Sequence, residues 1–211
     1  MPELPEVEVT RLGLKPLLRS KVGKVIIRNY SLRWPIHSKL PELLKNQTLL
    51  DLSRRGKYIL AKFTSGTLII HLGMSGRLCI VSTSEALNKH DHVDIQFKQN
   101  KLILRYRDPR RFGSFLWTEE DPYSHKLIKN LGPEPLNDEF DAKYLFIRLK
   151  SKKQCIKNAI MNSNIVVGVG NIYASEALYD SGIRPNRISK KVSMKEVVSL
   201  VKSIKNIIKK A

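Results

Sequence analysis

Phe115-Leu116-Trp117-Thr118-Glu119-Glu120-Asp121-Pro122 is the stretch at which the chain changes character. Upstream of it lie short β-type runs: Val25-Ile26-Ile27, Tyr58-Ile59-Leu60, Leu68-Ile69-Ile70, Leu78-Cys79-Ile80, Val93-Asp94-Ile95-Gln96-Phe97 and Leu102-Ile103-Leu104. Each is bounded by Gly, Ser, Asn, Asp or basic turns, and Gln99-Asn100 reads as the turn of a hairpin. Many short strands at this spacing predict a β-sandwich or barrel. Phe115-Leu116-Trp117 is the last of them. Pro122 and then Gly132-Pro133-Glu134-Pro135 break the pattern, which places a linker at 121–136 between a domain at 1–120 and another at 137–211. In the second domain the helical period takes over. Ser193-Met194-Lys195-Glu196 is a capping box, followed by Val197, Val198, Val201, Ile204 and Ile208 on one helical face and lysines on the other. At the other end, Val7 to Leu18 reads as a helix with Val7, Leu14, Leu17 and Leu18 apolar, weakened in its second half by Gly13 and Pro16. The fold class is α+β.

The charge narrows the function. Among 211 residues, 38 Lys and Arg face 19 Asp and Glu, a net charge of +19. Residues 1–120 carry a net +10 and residues 121–211 a net +9, so both halves are drawn to phosphate. A polyanion is the expected partner. A membrane is not, since no apolar run is long enough to span a bilayer and no secretory leader is evident. The two cysteines, Cys79 and Cys155, are far apart and form no CxxC. Neither a zinc ribbon nor a disulfide framework is indicated, and a reducing cytoplasm fits.

Five segments could carry chemistry. The chain opens Met1-Pro2-Glu3-Leu4-Pro5-Glu6. With Met1 removed, Pro2 presents a free secondary amine. An α-amino group has a reference pKa of about 7.7–8.0, so part of it is unprotonated at neutral pH and can attack an electrophilic carbon to form an iminium. Glu3 beside it can give and take protons. Arg54-Arg55-Gly56-Lys57-Tyr58 sets three cations around a glycine, a phosphate clamp or a solvated turn. His71-Leu72-Gly73-Met74-Ser75-Gly76-Arg77 and Asp108-Pro109-Arg110-Arg111-Phe112-Gly113 are tight loops that project Met74, Arg110 and Phe112. Apolar wedges with an arginine are the tools of proteins that open a base stack; core packing is the plainer reading of the same residues. Gly168-Val169-Gly170-Asn171 precedes a helical stretch at Ala174–Tyr179, and its amides could hold a phosphate, with Lys150, Lys152, Lys153 and Lys157 upstream.

Together PELPEVE (2–8), RRGKY (54–58), HLGMSGRL (71–78), KHDHVD (89–94), DPRRFG (108–113), LGPEPL (131–136) and GVGNIYASEAL (168–178) resemble the formamidopyrimidine-DNA glycosylase family, in the family's order and over nearly the whole chain. The resemblance implies an N-terminal helix on a β-sandwich, then a helix–two-turn–helix domain, with DNA in the cleft between them. It implies excision of oxidised purines (8-oxoguanine and formamidopyrimidines) from damaged double-stranded DNA by a cytoplasmic monomer. Pro2 is then the nucleophile on a flipped nucleotide, Glu3 the acid and base, and Glu6 a support. Lys57 joins the catalytic group and grips phosphate with His71 and Asn171. Arg111, His92 and Lys153 are further DNA contacts, and Met74, Arg110 and Phe112 the wedge, with Arg110 facing the orphaned base.

The family normally continues into a lesion-holding loop and a four-cysteine zinc ribbon, whereas this sequence ends Ile207-Ile208-Lys209-Lys210-Ala211. No cofactor is therefore expected. The expectation is encoded chemistry with weakened DNA binding. The alternative is a DNA-binding remnant of little or no activity, and a basic RNA-binding protein explains neither the N-terminal motif nor the loops.

Overall fold

The structure, a computed structural model, describes residues 2–99 and 101–211. Contacts divide it into two compact units: Pro2 with Glu6–Ile128, and Glu3–Pro5 with Lys129–Ala211.

The first unit is a sandwich of two four-stranded antiparallel sheets. Its strands are β1 (Val22–Ile27), β2 (Leu49–Arg55), β3 (Tyr58–Phe63), β4 (Thr67–His71), β5 (Arg77–Ser82), β6 (Asp91–Phe97), β7 (Leu102–Arg107) and β8 (Ser114–Thr118). One sheet runs β1-β6-β7-β5 and the other β2-β3-β4-β8. Every apolar run read from the sequence lies in a strand. Leu68, Ile69 and Ile70 of β4 are fully buried, and each such side chain contributes roughly 1.5–3 kcal/mol. Asp94 of β6 pairs in register with Arg105 of β7, and the buried guanidinium reaches both carboxylate oxygens at 2.9 and 3.0 Å. Asn100, half of the expected hairpin turn between β6 and β7, lies outside the described residues, as does Met1.

One local expectation changes, and two elements were not expected. The first helix, α1, spans Leu4–Gly13 rather than Val7–Leu18. Pro5 suits a first turn, where no amide partner is lost. Gly13 ends the helix, and a 3-10 turn at Lys15–Leu17 carries Pro16. Leu14 and Leu17 are buried all the same. A short helix, α2 (Leu40–Leu44), and strand β2 were not legible; in β2 the adjacent Leu49 and Leu50 break the alternation and Ser53, Arg54 and Arg55 form a polar run.

The second unit holds α3 (Ala142–Leu149), α4 (Ile156–Ile160), α5 (Asn171–Asp180) and α6 (Met194–Lys210). The capping box opens α6. Val197, Leu200, Val201, Ile204 and Ile208 are buried, whereas Val198 is 52% exposed. Leu200 takes the place expected of Val198, as an i, i+3, i+4 stripe requires. Leu4 from the chain's start is part of this unit's core, and its amide donates to the Gly168 carbonyl at 3.0 Å. Among the described residues, no helix is long and apolar enough to cross a membrane.

Candidate functional site

Glu3 is 1% exposed. Its Oε2 accepts from the Gly170 amide at 2.6 Å and the Tyr173 amide at 3.4 Å, and its Oε1 from the Ile172 amide at 2.9 Å. These amides form the N-terminal turn of α5, where unsatisfied donors and the helix dipole favour an anion. Gly170 leaves the room: a Cβ there would stand 2.6 Å from Glu3 Oε1. Gly168 has φ +80°, and a Cβ on it would strike Leu4. The Gly168–Gly170 turn therefore seats Glu3 and Leu4. This corrects the expectation that its amides hold a phosphate. Asn171, the first residue of α5, is exposed, and Pro2 is partly buried. Glu6 lies exposed in the first turn of α1.

Lys57 sits in the two-residue turn joining β2 to β3, where Gly56 has φ +56°. The three-cation clamp needs correction. Arg54 Nε donates to Glu8 Oε2 at 3.0 Å and its NH1 to the Gly56 carbonyl at 2.9 Å. Arg11 binds the same carboxylate at 2.6 Å, and its hydrogen bond leads the effects that lower the Glu8 pKa. Arg54 thus ties α1 to the turn that presents Lys57.

His71 ends β4, with its ring 4.8 Å from that of Tyr58. The Gly73 amide donates to Nδ1 at 3.0 Å, so the neutral ring carries its proton on Nε2 as a donor. Burial, then the charges of Lys57 and Arg33, lower its pKa to about 4. The unfolded chain takes up this proton near pH 6.5 and the folded chain only near 4. Stability is therefore intact above pH 6.5 and falls as pH drops from 6.5 to 4, by at most about 3 kcal/mol. His71→Asn, which can still accept from Gly73 but does not titrate, should show a smaller loss in urea unfolding between pH 7 and pH 4.5.

The two loops meet. A Cβ on Gly73 (φ +64°) would lie 2.6 Å from the Phe112 carbonyl oxygen and the Gly113 nitrogen. Met74 and Phe112 are 42% and 43% exposed, which excludes core packing for both. The Arg110 guanidinium lies 4.7 Å from the centre of the Phe112 ring. Arg111 is exposed at φ +58°. His92 differs from its expectation as a DNA contact. It is 5% exposed, with Nε2 2.8 Å from the Asp108 carbonyl oxygen, and so backs the loop instead of facing solvent. Lys153 is exposed in the segment between α3 and α4.

Sequence reasoning treated Glu3 and the Gly168–Gly170 turn as separate motifs and missed Ser75, Asp108 and Glu8. Among the described residues, no group of three or more His, Cys, Asp or Glu could hold a metal ion. Cys79 is exposed and Cys155 partly buried; they lie in different units, so a four-thiolate zinc site finds no match in these residues.

Residues 1–115 match the model of the formamidopyrimidine-DNA glycosylase N-terminal domain, and residues 131–211 that of the formamidopyrimidine-DNA glycosylase H2TH domain. The chain belongs to the formamidopyrimidine-DNA glycosylase family. Curated relatives of that name include one from Saccharophagus degradans, 51% identical over all of this chain and 78% of its own length. Another, from Hydrogenovibrio crunogenus, is 50% identical over all of this chain and 75% of its own length. Among solved structures, wild-type Lactococcus lactis Fpg (MutM) in complex with DNA containing N7-benzyl-Fapy-dG matches with a TM-score of 0.93. Its identity is 30%, covering 100% of this chain and 78% of that one. The same enzyme bound non-covalently to DNA with an AP site matches at 0.91 and 29% identity, over 99% and 80%. Enzymes of the family are bifunctional DNA glycosylases and AP lyases.

Proposed function

We propose that this chain excises oxidised purines, 8-oxoguanine and formamidopyrimidines, from duplex DNA and then cleaves the strand at the abasic sugar. Pro2, once N-terminal, supplies the nucleophile. Its nitrogen bonds to C1′ of the flipped nucleotide as the C1′–base bond breaks, and the base departs with a proton. The nitrogen then loses its proton and the C1′–O4′ bond breaks, with O4′ taking a proton from Glu3; the ring-opened C1′=N⁺ iminium acidifies C2′. Loss of a C2′ proton expels the 3′ phosphate, a second elimination expels the 5′ phosphate, and water releases the amine. Glu3 delivers and accepts the protons at the sugar, with Glu6 in support.

The observation that carries this reading is the Glu3 carboxylate, buried next in sequence to Pro2 and held by amides of the α5 N-terminus. A carboxylate fixed in this way needs no reorganisation before it acts. Lys57, His71, Asn171, Arg111 and Lys153 grip phosphates. Met74, Arg110 and Phe112 enter the stack, and His92 acts by supporting their loop. The protein works as a monomer in the cytoplasm, with a catalytic domain at 1–120 linked through 121–136 to a DNA-binding domain at 137–211, and needs no metal for the covalent steps.

The test is covalent trapping: the protein, borohydride and a duplex with an abasic site should give a stable adduct. A DNA-binding remnant would bind and leave no adduct. A second expectation concerns salt. Three cationic contacts, Lys57, Arg111 and Lys153, predict a slope of about −2.7 in log affinity against log salt, roughly a 40-fold loss between 50 and 200 mM. Fluorescence anisotropy measures it, and a flat response would remove the phosphate-gripping assignment.

A further inference from the structure

The two exposed loops are joined by a hydrogen-bonded bridge that the mechanism leaves unused. Ser75 Oγ donates to Asp108 Oδ1 at 2.6 Å and accepts from the Arg110 amide at 3.1 Å. One hydroxyl thus connects the residue after Met74 to the backbone of Arg110. Behind it Asp108 is fully buried. Its Oδ2 accepts from the Tyr106 hydroxyl at 2.8 Å and the Gly113 amide at 2.9 Å. Its carbonyl accepts from the Arg111 amide at 3.2 Å, and its own amide donates to the His90 carbonyl at 3.0 Å. Burial, and next the Asp108 carboxylate, push the Tyr106 phenol far above its ordinary pKa, which keeps it a donor. Three glycines let these parts close. A Cβ on Gly76 would stand 2.7 Å from the Tyr106 hydroxyl, one on Gly113 would overlap that hydroxyl, and one on Gly73 would meet the Phe112 backbone.

The anchoring is deep on the Asp108 side; on the Met74 side, beyond the packing of Gly73 and Gly76, the hydrogen bonds to it run through the partly exposed Ser75. We infer that Ser75 is a positioning residue for lesion probing: its hydroxyl couples the two loops so that Met74, Arg110 and Phe112 enter the duplex as one rigid wedge. Without it, Met74 and Arg110 move independently, and each must be ordered when the stack opens. The inference rests on the wedge assignment made above.

The test uses the full chain and a duplex carrying tetrahydrofuran as an uncleavable abasic analogue, with 2-aminopurine as the opposite base. At saturating protein, 2-aminopurine fluorescence reports unstacking without any chemistry. Ser75→Ala should lower the unstacking equilibrium about tenfold, the value of one lost hydrogen-bonded bridge. Ser75→Thr, which keeps the hydroxyl, should retain it. Ser75→Ala/Phe112→Ala should be no more than about twofold worse than the poorer single variant, because both act on one wedge. Ser75→Cys keeps the volume and weakens the bridge, and it serves if the alanine variant does not fold. In excision of an intact lesion, Ser75→Ala should lose more than in trapping at a preformed abasic site. Unchanged fluorescence in the alanine or cysteine variant would overturn the inference. So would equal loss in the threonine variant, or a double variant that shows the product of the single effects. Failure of the unaltered chain to trap abasic DNA rejects the functional reading instead, and the fluorescence arm still decides the role of Ser75.

Discussion

Glu3→Gln is expected to lower excision of an oxidised purine by at least about 100-fold, the usual contribution of a positioned acid or base. A glutamine can neither deliver nor accept the proton that moves as the base departs. Trapping at a preformed abasic site should fall far less, because there the base is already gone and the Pro2 amine remains. The substitution also has a structural effect. The carboxylate accepts from the Gly170, Ile172 and Tyr173 amides, and the NH₂ end of glutamine meets one of those amides donor to donor. Losing a charged hydrogen bond costs about 1.5–3 kcal/mol, so the melting temperature should drop as well. Single-turnover excision, trapping yield and thermal melting on one preparation separate these effects. Equal loss of excision and trapping would mean that Glu3 only caps α5.

Gly170→Ala should reproduce most of that excision defect without removing any reactive group. The backbone at Gly170 is extended, with φ −117° and ψ −156°, so alanine meets no conformational barrier. The obstacle is steric, since the new Cβ would stand 2.6 Å from Glu3 Oε1. The carboxylate must leave its amides or the α5 turn must shift, at about 1–3 kcal/mol, as for other overpacked sites. Displacement of about 1 Å at a reacting group can cost on the order of 100-fold in rate. Because both changes act on the same carboxylate, Glu3→Gln/Gly170→Ala should be little worse than Glu3→Gln alone. Excision rates of the three variants check this, and a multiplicative loss in the double variant would separate Gly170 from Glu3.

The strands were legible because each is a compact apolar run between turn residues, and α6 because its capping box and apolar stripe agree. Strand β2 was hidden because its sequence, Leu49-Leu50-Asp51-Leu52-Ser53-Arg54-Arg55, neither alternates nor forms a compact apolar run. Arg54 was misread because its partner Glu8 is 46 residues away, and local charge counting treats an arginine beside Lys57 as free. The Gly168–Gly170 turn was correctly placed before a helix, yet its occupant is a side chain 167 residues earlier in the chain. The exposure of Met74 and Phe112 could not be read from the loops alone, where core packing was the plainer reading of the same residues. His92 shows the converse: a polar residue in a motif-rich segment, spent on a backbone carbonyl.

The central claim is that the nitrogen of Pro2 makes the covalent bond to DNA. It is tested most directly by trapping the protein on an abasic duplex with borohydride, digesting the adduct and locating the modified residue by mass spectrometry, with Pro2 verified as the first residue of the preparation. The account predicts a reduced sugar adduct on Pro2. An adduct on a lysine such as Lys57, or no adduct at saturating protein, would contradict it.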